Sequence, residues 1–133
     1  MASETVKHFG NIDILIPCAE MLLMRDLEHT TEEDFDSMMR HNVKQAVPHM
    51  APSSHIVLFS TNLCIASTVT PPCLLYNAIK GAIEQMTRIM SKDLAARRIC
   101  VNCVAPEPAG MDLFYNGKSE QLLKMIAGFS PTG

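Results

Sequence analysis

Apolar residues along this 133-residue chain fall into two patterns, short unbroken runs and longer stretches at helical spacing. Three runs, Ile12 to Pro17, His55 to Ser60 and Ile99 to Ala105, are rich in Ile, Val and Leu and alternate little. That pattern predicts parallel strands covered by helices on both faces. Between the first two runs, Thr31-Glu32-Glu33-Asp34 offers an N-cap with acids in the first turn. Phe35, Met38, Met39 and Val43 then keep helical spacing until Pro48. A longer helix is predicted from Leu74 to Arg97, where Ala78, Ile79, Ala82, Ile83, Met86, Ile89, Met90 and Leu94 form one stripe. Shorter helices are predicted over Ser3 to Phe9 and over Ser119 to Ala127, the latter closed by Gly128.

The order α-β-α-β-α-β-α implies right-handed βαβ units in a partial doubly wound, Rossmann-like α/β sheet of three parallel strands flanked by helices. No internal repeat, low-complexity tract or second-domain boundary interrupts residues 1 to 133, which read as a single partial domain. Val69-Thr70-Pro71-Pro72 is a loop leading into the long helix.

Composition narrows the function. With 47% hydrophobic and 19% charged residues, the chain reads as globular rather than disordered. A net charge of −3 argues against a nucleic-acid footprint. No apolar run reaches the ~18 residues of a membrane span, and the N-terminus lacks a signal-peptide core, so a cytoplasmic setting is expected. Five cysteines, an odd number, fit reduced thiols. Cys100-Val101-Asn102-Cys103 matches C-x-x-C, but on a strand the two side chains take opposite faces. We therefore read them as small buried hydrophobes, not as a redox or metal pair. The five histidines show no ligand spacing, and no metal site is expected.

The strongest chemical signal is Tyr76-Asn77-Ala78-Ile79-Lys80. Residues four apart share a helix face, so the two side chains meet. An ammonium there favours the phenolate and makes the tyrosine a usable proton donor or acceptor. Lowering a tyrosine from about 10 to about 7 takes roughly 4 kcal/mol. An ammonium at ~4 Å supplies about that at an effective dielectric of 20, but only ~1 kcal/mol in bulk water. The pair therefore needs a closed site.

These elements, with the pair on the helix after the middle strand, resemble the short-chain dehydrogenase/reductase family. Phe9-Gly10-Asn11-Ile12-Asp13-Ile14-Leu15-Ile16 is similar to that family's fourth strand and its lead-in. Glu33-Asp34-Phe35 with Asn42-Val43-Lys44 resembles the helix carrying its catalytic asparagine, and Ile56 to Thr61 the fifth strand ending at its catalytic serine. Arg98 to Pro106 resembles the sixth strand and the loop over the nicotinamide. The resemblance implies an NAD(P)(H)-dependent oxidoreductase acting on a small carbonyl or alcohol. Tyr76 is then the acid/base, Lys80 its tuner and ribose ligand, and Asn42 the relay residue. The serine's place falls on Thr61 by strand alignment or on Asn62 by distance from Tyr76, with the Ser60 hydroxyl adjacent as a substitute. Tyr76, Lys80, Ala19 and Pro106 take the cofactor-lining positions.

Several family features are missing. No G-x-x-x-G-x-G or G-x-G-x-x-G turn exists to seat a pyrophosphate, and the first three strands have no counterpart. The resemblance thus covers the later half of the fold, the N-terminal half being missing, and the chain is expected to be truncated. Pro17-Cys18-Ala19-Glu20 stands for Asn-Asn-Ala-Gly, and Glu107, Ala109 and Met111 replace features of the cofactor loop. Asn42-Val43-Lys44 runs into Gln45 to Pro48 about two helical turns early. Ile12, Ile14, Leu15 and Ile16 are expected to form an unpaired apolar edge. The alternative reading is a non-catalytic remnant or interaction module. It would form homo-oligomers, or pair with an intact family member, through the Leu74 to Arg97 helix.

Overall fold

A computed structural model of the protein describes residues 2–18, 25–43, 47–66, 69–107, 115 and 119–128. The apolar stripe of the long helix organises the molecule. After the turn Pro71–Cys73, α3 runs Leu74–Asp93 and buries Leu75, Ile79 and Ile83, one turn apart, on a single line. Each buried aliphatic side chain contributes roughly 1.5–3 kcal/mol. The helix closes through a short 3₁₀ turn, Ala95–Arg97, and Arg98 then reverses the chain at φ 58°. The Arg97 guanidinium donates to the carbonyls of Val47 and Met50, pinning this corner to the start of the central strand.

α1 spans Ala2–Phe9 and ends at Gly10, whose φ of 85° turns the chain into β1, Ile12–Leu15. α2 spans Glu32–Val43. Its N-terminus carries a capping box. Asp34 N–H donates to Thr31 Oγ1 at 3.1 Å, and Thr31 N–H donates to the Asp34 carboxylate at 3.1 Å. Those bonds from Thr31 hold the Asp34 carboxyl below the usual carboxylate range, helped by the Arg25 guanidinium 3.4 Å away. β2 is Met50–Phe59, β3 is Cys100–Val104, and α4 is Glu120–Ala127, capped by the Ser119 hydroxyl and ended at Gly128.

The sheet has order β1-β2-β3, all parallel, the expected Rossmann-like arrangement flanked by helices. Ile56, Leu58 and Ser60 of the central strand region point under α3 and are buried. Val101 of β3 joins them, with Ile12, Met50, Leu94 and Ile99 completing the core.

Five expectations need correction. The central strand starts at Met50 rather than His55, because Ile12 pairs with Met50 while Ile14 pairs with His55. The extra residues between form a bulge, with Ser53 at φ 68° and Ser54 Oγ bonded to Ala51 O at 2.6 Å. Among the described residues, β2 and β3 are not covered on both faces. Opposite α3, His55, Cys100, Asn102 and Val104 are exposed among the described residues. Cys100 is for the same reason a surface thiol, whereas Cys103, on the other face, packs against the core. Among the described residues β1 is an edge strand, as expected, but its apolar strip is split, with Ile12 buried and Ile14 62% and Ile16 50% exposed. Phe35, counted on an apolar helix stripe, is also exposed. No helix among the described residues is long and apolar enough to cross a membrane.

Candidate active site

Parallel α/β sheets bind ligands beyond the carboxyl ends of their strands, and the candidate residues gather there. β2 and β3 end side by side. Ser60 N–H continues the ladder to Val104 O at 2.8 Å, and Asn62 N–H donates to Pro106 O at 3.1 Å. Pro106 therefore lies against the turn that follows β2, with its ring exposed.

α3 brings Tyr76 and Lys80 to one face over this end. The Lys80 Nζ lies 5.5 Å from the Tyr76 ring centroid, within cation–π range. Lys80 is only 1% exposed, and its ammonium donates to Phe59 O at 2.7 Å. Tyr76 is half-buried. Burial of the ammonium strengthens its action on the phenol relative to bulk water, while the tyrosine itself stays partly open to solvent.

Thr61 is buried and caps the 3₁₀ turn Asn62–Cys64, its Oγ1 accepting from Leu63 N–H at 3.3 Å. That bond occupies an oxygen lone pair and leaves the hydroxyl proton to donate. Ser60 does not serve as a substitute hydroxyl. It points the other way, 2% exposed, and donates to Glu84 Oε1 at 2.6 Å. Asn62 offers no hydroxyl, and its Oδ1 is buried without a partner. Asn42 is placed on the last turn of α2, while Ala19, Glu20, Ala109 and Met111 lie outside the described residues.

Sequence reasoning gave no role to Glu84 or Asn77. Asn77 Nδ2 donates to Leu63 O at 3.1 Å, fastening the turn to the helix. The spacing 76, 80, 84 was the available signal for Glu84. A groove of about 500 Å³ lined by Val69, Thr70, Pro71, Cys73, Leu74, Asn77 and Ala78 opens on the neighbouring side of α3, away from the Tyr76–Lys80 row. Among the described residues, no group of three or more His, Cys, Asp or Glu side chains could hold a metal ion.

The donor set fits one end of a nicotinamide cofactor. A buried ammonium beside a phenol at a strand's carboxyl end suits a ribose and a reacting carbonyl. The pyrophosphate is not provided for, since the chain has no Gly-rich turn.

The model of the enoyl-(acyl carrier protein) reductase family matches residues 1–133. The short chain dehydrogenase mdpC of Emericella nidulans is 34% identical over 146 residues, covering 96% of this chain but 55% of that protein. A dehydrogenase/reductase from Sinorhizobium meliloti superposes with a TM-score of 0.83 at 29% identity, over 99% of this chain and 54% of its own. The angucycline C-6 ketoreductase LanV, solved with bound NADP, superposes with a TM-score of 0.77 at 29% identity, over 98% and 53%. The chain thus spans about half the length of the relatives it matches. With the family pattern matched along the whole chain and the same fold in solved members, this protein belongs to the short-chain dehydrogenase/reductase family.

Proposed function

We propose that the Tyr76–Lys80 face is the proton-transfer half of an NADP(H)-dependent carbonyl reductase site acting in a cytoplasmic setting. One observation carries this reading: a nearly fully buried ammonium, anchored on Phe59 O, lies 5.5 Å from the ring of a half-buried tyrosine at the carboxyl end of the sheet. The relative solved with bound NADP supports the choice of cofactor.

When bound, the nicotinamide supplies or takes the hydride. The chain's own residues handle the proton. Tyr76 gives its phenolic proton to a substrate carbonyl oxygen in reduction, or takes it from an alcohol in oxidation. Lys80 offsets the charge that this leaves on the phenolate and would hold the ribose hydroxyls of the bound cofactor. Thr61, with its proton left to donate, orients the substrate oxygen. Asn42 anchors the relay. Ala19 and Pro106 would line the bound cofactor.

A second reading has a specific observation in its favour. Leu74 is 44% and Ile89 65% exposed on the outer side of α3, as a helix that pairs with a second copy or an intact family member would present. That reading makes the chain a non-catalytic association module. Isothermal calorimetry with NADPH and NADH separates the two. The reductase reading expects micromolar NADPH binding that Lys80→Met weakens at least tenfold. No binding by the parent chain, with an oligomeric hydrodynamic profile, overturns it in favour of association.

A further inference from the structure

The end of β2 is fastened to α3 by side-chain bonds that bracket Lys80. One turn on the N-terminal side, Asn77 Nδ2 holds Leu63 O at 3.1 Å, and Cys64 Sγ lies 3.8 Å from Asn77 O. One turn on the C-terminal side, Glu84 Oε1 accepts from Ser60 Oγ at 2.6 Å. Between them Lys80 uses its ammonium on Phe59 O, while Ser60 Oγ also lies 3.4 Å from Lys80 O. The two outer anchors are about 10 Å apart along the helix axis. A helix held at both points resists both sliding and rotation.

The Ser60–Glu84 bond is the stronger anchor. It is short, it joins a hydroxyl to a carboxylate, and its serine is 2% exposed. We propose that Ser60 and Glu84 are positioning residues for the Tyr76–Lys80 pair, setting the depth at which the ammonium sits beside the phenol. This rests on Tyr76 and Lys80 being the reacting pair. Residues 59–64 carry no charged side chain, Glu107 is exposed, and Arg88, the next position on the row, is exposed too, so Lys80 and Glu84 are the charges on this row within eight residues of Tyr76.

The chain has two tyrosines and no tryptophan, so Tyr115→Phe leaves tyrosinate absorbance reporting on Tyr76 alone. In that background Lys80→Met is expected to raise the midpoint of Tyr76 ionisation by about one unit or more, a tenfold change. Ser60→Ala and Glu84→Ala are expected to raise it by about half a unit, roughly threefold. The sign is diagnostic. Removing the Glu84 anion alone would lower the midpoint, so a rise in Glu84→Ala marks lost positioning. Glu84→Gln keeps an acceptor for Ser60 and is expected at or below the parent value. If Ser60→Ala does not fold, Glu84→Ala reads the same bond from its less buried partner. An unchanged or lowered midpoint in Glu84→Ala, with Lys80→Met still raising it, overturns the clamp and leaves the pair intact. No shift in Lys80→Met overturns the pair itself.

Discussion

Two isoleucines on one helix offer a controlled test of how α3 sits on the sheet. Ile79 is fully buried and Ile89 is 65% exposed, so Ile79→Ala and Ile89→Ala make the same chemical change in opposite environments. At Ile79 the loss of three carbons costs about 2.4 kcal/mol at ~0.8 kcal/mol each. The cavity left between β2 and the helix carries such truncations into the range of about 2–5 kcal/mol. Alanine's better helix propensity returns a few tenths of a kcal/mol, for a net loss of about 2–4 kcal/mol. At Ile89 only the propensity gain operates, and the expected change is within about 0.5 kcal/mol of zero. Far-UV circular dichroism in urea reads both. With a slope of about 2 kcal/mol/M, Ile79→Ala moves the midpoint down by roughly 1–2 M, while Ile89→Ala leaves it in place. Equal midpoints for the two variants would refute this placement of α3. A loss at Ile89 that grows with protein concentration would instead show that its face is covered by a second copy.

Other outcomes follow from local geometry. The Asp34 carboxyl is held low by its bonds from Thr31, so its stabilisation of α2 is present above the unfolded value of 3.8 and is lost as pH falls through the lower folded value. Helix content followed by circular dichroism should therefore fall more steeply in acid for the parent than for Asp34→Asn. Equal acid slopes would count against the capping box. Arg98 adopts φ 58° with an exposed side chain, a conformation that costs a non-glycine residue about 1 kcal/mol or more. Arg98→Gly should raise the melting temperature by about 2–5 °C, and a decrease would refute the strain argument.

What could be read from the residues is what is local. The N-cap at Thr31, the start of α3 at Leu74 and the stop at Gly128 each depend on neighbours within a turn or two, and each is where the pattern placed it. The stripe of α3 is buried at Ile79, Ile83 and Leu94 but not at Ala78 or Ile89, which are exposed, while Leu75, outside the stripe, is buried. The parallel order followed from alternating element types. The start of β2 was hidden because Pro52, Ser53 and Ser54 look like loop. They join the strand only because Ile12 pairs with Met50 across the sheet. The open face was hidden as well. Continuous apolar runs imply two-sided cover, whereas the burial in β3 alternates and exposes Cys100. At the site, Tyr76 and Lys80 were legible as a helical pair. Ser60 and Glu84 lie 24 residues apart in sequence and meet only through the crossover.

The all-parallel ladder also governs how the molecule can assemble. No two of the described strands can zip from a hairpin, so each of their rungs waits for a crossover to close. His55 meets Cys100 only after the whole of α3 has been laid across the gap. Closing a loop on the order of 40 residues costs about 3 kcal/mol before the first rung forms. Among the described strands, β2 has partners on both sides and must therefore collect its neighbours from two distant parts of the chain. Refolding is expected to be limited by that non-local search, with α3 forming early as the template against which the strands find their register.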